Sequence, residues 1–299
     1  MKRSAALVAA LLLVAGGAAA QSESAPVELT GTLLKLRQSG VAVLAYREAS
    51  IPFSYRSGRG EPIGYSIELC KALVARIGSE LGRELALQWY AVTPESRIEA
   101  ITSGRADFEC GSTTSNLERQ KLVAFSPTIF VSGTRLLVKA GTPIRSFRDL
   151  GGRTVAVTSG TTNERAMQDI AKKFRIDFRL LAGRDHAESF ARVADGGADA
   201  FASDDVLLYG LAAERGLQRD YRVIGEFLSY DPYGIMYRKG EPQLAALVNA
   251  ALHDLAGDGE IERQYKRWFL QRLPSGATLG LPMSPQLKTI LRAMAAKPE

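Results

Sequence analysis

Small hydroxyl residues followed at short range by an arginine give one segment of this chain the means to hold a carboxylate. From Asp107 to Phe130 the sequence runs D-F-E-C-G-S-T-T-S-N-L-E-R-Q-K-L-V-A-F-S-P-T-I-F, with Ser112 and Thr114 in the hydroxyl run and Arg119 a short step beyond it. A hydrogen-bonding loop backed by a planar guanidinium suits the carboxylate of a small, water-soluble ligand. A second hydroxyl turn, Ser159 to Thr162, meets the start of an expected helix, where backbone N–H groups point toward an anion. Gly160 lets that backbone come close. Asp204 ends an apolar run and is the candidate partner for a ligand ammonium. Ordinary turn and helix-cap chemistry competes for each of these polar residues, including a cap by either Asp204 or Asp205. Arg97 opens an expected helix, where the macrodipole disfavours a cation, so a bound anion explains it better than helix stability does.

The elements that must position these residues alternate between strand and helix, which indicates an α/β protein. Val41 to Tyr46 is a β-branched and apolar run ending at Arg47, and Ile67, Cys70, Val74 and Ile77 then mark one face of a helix. Strands are expected at Leu85 to Tyr90 and Ala106 to Cys110, with a short helix from Arg97 to Ser103. The pattern restarts at Thr154 to Thr158, followed by a helix from about Asn163 to Phe174 and a strand from Phe178 to Ala182. Asp185 to Glu188 reads as a capping box that opens a helix carrying His186. Ala198 to Ser203 leads into a helix over Val206 to Glu214, and late strands come at Arg222 to Ile224 and Gly234 to Tyr237. Leu244, Leu247, Val248, Ala251 and Leu255 share a helical face, and Trp268 and Phe269 anchor a last helix. Each half thus delivers polar residues at the C-terminal ends of its strands, where open α/β sheets bind ligands. Arg135 to Lys139 and Tyr233 to Tyr237 are the expected crossings between two lobes.

Lys2 and Arg3, the apolar stretch Ala5 to Ala15 and the small residues Ala18 to Ala20 read as an export signal over residues 1–20. That stretch is too short for an ordinary membrane span. The expected organisation is residues 28–134 as the first part of lobe 1, 135–230 as lobe 2, 231–272 as the return to lobe 1, and 273–299 as a peripheral or mobile tail. The chain has 299 residues and a net charge of +6, with acidic and basic residues mixed along its length, so no nucleic-acid-binding stripe is indicated. A basic cleft for a small anion accounts for the same excess. Two histidines and two cysteines, without C-x-x-C or H-E-x-x-H, argue against a zinc site, and no cofactor is implied. Spacing leaves open whether Cys70 and Cys110 form a disulfide or remain two buried thiols.

Six segments in order carry a resemblance: Y-R-E-A-S-I-P-F-S-Y from Tyr46, F-E-C-G-S-T-T with E-R-Q-K, and F-S-P-T-I-F-V-S-G-T-R-L-L, then V-T-S-G-T-T, D-H-A-E-S-F and S-D-D-V-L-L. Together they resemble the periplasmic solute-binding proteins for polar amino acids, most of all the glutamate/aspartate-binding proteins of ABC importers, from about Leu29 to Phe269. The resemblance implies a two-lobed periplasmic-binding-protein fold of type II, with the ligand cleft between lobes joined by a two-strand hinge. It implies a monomeric periplasmic receptor for L-glutamate or L-aspartate that docks on a membrane permease. On that pattern Arg119 meets the α-carboxylate with Ser112, Thr114 and Thr162. Asp204 meets the ammonium, and Arg47, Arg97 and His186 meet the side-chain carboxylate. One residue departs from the family: Pro94 stands where serine is usual, removing a hydroxyl and an N–H. The rival readings are a sensory amino-acid receptor, a phosphate or sulfate receptor, and a periplasmic dehydratase-like enzyme on the same scaffold. Asp204 disfavours a simple anion receptor, and the absence of a nucleophile elbow disfavours the enzyme.

Overall fold

The computed structural model describes residues 28–296; the expected export segment at 1–20 lies outside the described residues. Chain order gives α1 (Gly31–Ser39), β1 (Val41–Tyr46), α2 (Tyr65–Glu80), β2 (Ala86–Ala91), α3 (Arg97–Thr102), β3 (Phe108–Glu109), α4 (Leu117–Gln120) and β4 (Val123–Phe125). Next come β5 (Phe130–Ser132), β6 (Thr134–Lys139), β7 (Thr154–Thr158), α5 (Thr162–Phe174), β8 (Arg179–Gly183), α6 (His186–Ala194), β9 (Ala200–Asp204), α7 (Asp205–Glu214) and β10 (Tyr221–Ile224). The chain then returns through β11 (Asp231–Tyr233), β12 (Met236–Arg238), α8 (Pro242–Gly257), α9 (Glu260–Tyr265) and α10 (Pro285–Ala295).

Two five-stranded sheets result, ordered β2-β1-β3-β12-β4 and β8-β7-β9-β6-β10. In each, a parallel trio is extended by antiparallel strands: β1 pairs parallel to β2 and β3, and β7 to β8 and β9. Apolar strand sequences such as β7, whose Val155, Ala156 and Val157 are all buried, suit sheets covered on both faces.

The two sheets are joined by a separate antiparallel pair, β5 with β11, in which Phe130 faces Tyr233 and Ser132 faces Asp231. The crossings therefore sit a few residues before the expected segments. Residues 135–139 belong to β6 inside the second sheet, and 236–238 to β12 inside the first. Side chains explain the placement. Phe130 and Tyr233 enter an aromatic cluster with Phe53, Tyr65 and Phe269, whose ring centroids lie 4.8 to 6.4 Å from their neighbours around Phe53 and Phe130. Burying these rings fixes the crossing strands on the first sheet's side.

Two further expectations need correction. Trp268 and Phe269 are buried, but in a π-helical turn, Lys266–Leu270, that continues α9. The segment after Pro274 is not merely peripheral: α10 packs against α8 and buries Leu287, Leu291 and Met294. Ser284 caps α10 by accepting from the Leu287 N–H, and Pro285 occupies its first turn.

Candidate functional site

The C-terminal ends of both parallel trios face the same gap, and the residues there are unusually polar for their burial. From the first sheet, β1 ends into Arg47, which is 1% exposed and whose two terminal nitrogens have no hydrogen-bond partner in the protein. Arg97 opens α3, almost fully desolvated at 2% exposure. Its Nη1 donates to Thr113 Oγ1 at 2.8 Å, and its Nη2 reaches the Gly160 carbonyl at 3.5 Å. The hydroxyl loop comes after β3, and the one-turn helix α4, capped by Asn116, presents Arg119 behind it. Arg119 donates from Nη1 to the Thr114 carbonyl (2.9 Å) and from Nη2 to the Gly160 carbonyl (3.3 Å).

The second sheet contributes from the opposite side. Thr161, not Thr162, caps α5 by accepting from the Glu164 N–H, which leaves Thr162 at the first helical position. Thr162 Oγ1 lies 3.4 Å from Thr114 Oγ1, so the two lobes touch here. Gly160 has φ +74°, and a Cβ there would sit 2.9 Å from Glu95 Cγ of the first lobe. A side chain would hold the lobes apart at the point where both arginines reach across. His186 starts α6 after its cap Asp185, and its Nδ1 is 3.3 Å from Thr158 Oγ1. The capping box is incomplete, since Glu188 accepts from the Arg184 N–H and not from the cap residue. Asp204 ends β9 without capping α7. Its Oδ1 accepts from Asn163 Nδ2 at 3.0 Å, and its Oδ2 accepts from the Tyr233 hydroxyl.

A small cavity between the lobes has Arg97, Ser112, Thr114, Thr162, His186 and Asp204 in its wall. Arg47 and Arg119 are outside that lining. Arg119 lies against the carbonyls of Thr114 and Gly160, and Arg47 is close enough to His186 and Arg97 for its charge to act on both. Cys70 of α2 and Cys110 at the foot of the hydroxyl loop are joined with Cα atoms 6.0 Å apart, which anchors the loop to the lobe's core. Among the described residues, no cluster of three or more His, Cys, Asp or Glu side chains is arranged to hold a metal.

Burial sets the electrostatics. It lowers the pKa of Arg47 to about 9, with the nearby Arg97 charge acting in the same direction. Arg119 falls to about 9 for the same two reasons, and Arg97 is lowered chiefly by its own burial. Burial, then the charges of Arg47 and Arg97, push His186 well below its ordinary value, so it is a neutral imidazole near pH 7. Asp204 moves oppositely: burial and the Asp231 carboxylate raise it to about 8, against the hydrogen bonds from Tyr233 and Asn163. Three guanidiniums on one side and a proton-poised carboxyl on the other can receive an anion and a cation of the same small molecule.

Sequence reasoning missed four residues that shape this site. Asn163 and Tyr233 hold Asp204; Asp231 accepts from Thr114 Oγ1 at 3.0 Å and perturbs Asp204; Glu109 is buried beside the arginines. Asp231 and Tyr233 alternate with Pro232 on β11, a polar and apolar mix that runs into the expected crossing strand at Tyr233. Glu109, an acid within an apolar strand, was the clearest available signal.

A family model described as "Bacterial extracellular solute-binding proteins, family 3" matches residues 42–271. The L-glutamate/L-aspartate-binding protein of Pseudomonas aeruginosa is 41% identical, over 98% of this chain and 96% of that protein. The glutamate/aspartate import solute-binding protein of Escherichia coli K12 is 36% identical over 91% of each. Among solved structures, an ancestral amino-acid-binding protein described as a precursor of cyclohexadienyl dehydratase superposes with a TM-score of 0.69. It is 30% identical, covering 80% of this chain and 99% of that one. With its paired five-stranded sheets, two-strand hinge and polar cleft, the chain belongs to the bacterial extracellular solute-binding proteins of family 3.

Proposed function

We propose that this chain is the extracytoplasmic substrate-binding component of an ABC amino-acid importer and closes its lobes on L-glutamate or L-aspartate. The observation that carries this reading is a group of three buried arginines, Arg97 in the cavity wall with Arg47 and Arg119 near enough for their charges to act on it, set across from the acid Asp204. A dicarboxylic amino acid needs that asymmetry: cations for two carboxylates and one anion for its ammonium. Relatives with glutamate/aspartate-binding names at 36% and 41% identity support the same assignment.

In this reading Arg119, Ser112, Thr114 and Thr162 receive the α-carboxylate, and Asp204 the ammonium. Arg47, Arg97 and His186 receive the side-chain carboxylate, His186 as a neutral hydrogen-bonding group. No bond is made or broken. A ligand that touches both lobes favours the closed form by the difference between its affinities for the closed and open states. Desolvating its charges is costly, and several charge-assisted hydrogen bonds per carboxylate offset that cost. The closed protein, a periplasmic monomer, then docks on its permease. Equilibrium dialysis with radiolabelled L-glutamate tests the core of this reading. One bound equivalent, recovered chemically unchanged, is expected. Absence of binding, or turnover of prephenate or arogenate to aromatic products by the same preparation, contradicts it.

A further inference from the structure

Glu109 is a fully buried carboxylate, 0% exposed, and neither of its oxygens has a hydrogen-bond partner in the protein. It sits in the middle of the first sheet, facing Ala45 on β1 and Met236 on β12. Ala45 and Met236 belong to an apolar cluster with Ala100 and Ile101 of α3. An apolar side chain would fill that position at no electrostatic cost, so the sequence tolerates an ion where packing alone asks for none.

The register shows what the ion faces. Residues two apart on a strand share a face, so Arg47 and Gly111 succeed Ala45 and Glu109 on the same side of the sheet. Gly111 leaves space that both neighbours use: a Cβ there would lie 2.1 Å from Glu109 Oε1 and 2.9 Å from Arg47 Cγ. Arg97 reaches the same region from the start of α3, which covers this face. No guanidinium touches Glu109 within ion-pair distance among the described residues, so its charge acts through a low-dielectric interior. Its negative charge opposes the burial that lowers the pKa of Arg47, Arg97 and Arg119 alike.

We propose that Glu109 is the resident counter-charge of the arginine cluster and so sets how strongly the cleft prefers a carboxylate over an amide side chain. The proposal deepens, and rests on, the acidic amino-acid reading of this site. Glu109 is a positioning and charge-balancing residue, not a ligand contact. By offsetting part of the positive field it keeps three guanidiniums tolerable without ligand, and it weakens the pull on a second ligand carboxylate.

The test compares dissociation constants for L-glutamate and L-glutamine at pH 7 in the wild type, Glu109→Gln and Glu109→Asp. The Glu109→Gln change keeps shape and removes charge, so the preference for glutamate over glutamine should widen about fivefold or more. Glu109→Asp keeps the charge and should stay within about twofold of the wild-type ratio. A merely structural residue would weaken both ligands together, so an unchanged or narrowed ratio in Glu109→Gln overturns the proposal. An equal shift in Glu109→Asp overturns it too. Should Glu109→Gln fail to fold, the double variant Arg47→Met/Glu109→Gln decides: recovery of a cooperative melt supports charge pairing, and continued failure refutes it. Wild-type protein that binds neither ligand contradicts the functional reading instead, which keeps the two failures distinct.

Discussion

The two walls of the cleft are built by the same β-α-β arrangement yet carry opposite chemistry. The first sheet supplies Arg47, Arg97 and Arg119, all desolvated. The second supplies Thr162, Asn163, a neutral His186 and Asp204 poised near pH 8. Similar strand order therefore does not dictate similar sites; the residues just past each strand do. The cationic wall can attract an anion by itself, whereas only closure brings the acid of the other wall to the same molecule. On the proposed reading, that division makes charge the source of affinity and closure the source of selectivity for a zwitterion.

The comparison is broken most severely at Arg119. Arg119→Ala should weaken glutamate, aspartate and glutamine alike by about 100-fold or more in calorimetry, because on the proposed assignment every ligand loses its α-carboxylate partner. Arg47→Met should instead act unevenly, costing glutamate about 50-fold while glutamine changes little. If both variants lose all ligands equally, the division of the cationic wall into two carboxylate sites is wrong.

The acidic wall makes a pH prediction of smaller size. Asp204 without ligand is raised to about 8 and must be ionised to pair with an ammonium, so binding below that pH expels a proton. Affinity should therefore fall as pH drops from 8 toward 6, by up to about tenfold per unit. Titration in two buffers of different ionisation heat should show proton release near pH 7. Proton uptake, or a flat profile across that range, removes Asp204 from the ammonium site. His186, already neutral there, should leave no inflection at its ordinary value.

The smallest effect concerns Pro94. Pro94→Ser restores a hydroxyl and an N–H near Arg97 and should improve affinity for one of the two acids by about fivefold, the worth of one hydrogen bond. Competition calorimetry with glutamate and aspartate reads it. Unchanged affinities for both would show that position 94 does not reach the ligand.

Much of this was legible because the signals are local. Val41 to Tyr46 and Thr154 to Thr158 are strands at the expected limits, since β-branched and apolar runs bounded by polar turns leave little choice. The same logic puts Arg47 and Thr162 just past strand ends. The features that sequence hid depend on distant partners. Nothing near Tyr233 announces that its hydroxyl serves Asp204, or that Asp231 serves Thr114, because loops and hinge strands bring them together only in the fold. The crossings were displaced for a related reason: Phe130 and Tyr233 gain burial against Phe53 and Phe269, a long-range packing effect. The tail helix was different. Ser284 and Pro285 ahead of Leu287, Leu291 and Met294 form a local cap and stripe that composition alone obscured.

The central claim is tested most directly by isothermal titration of ligand-stripped protein with L-glutamate, L-aspartate, L-glutamine and L-asparagine. Tight one-to-one binding confined to the two acids is the predicted result, since an amide brings no charge to the buried guanidiniums, which Glu109 offsets only in part. Amides bound as tightly as the acids, or no binding of any of the four, would contradict it.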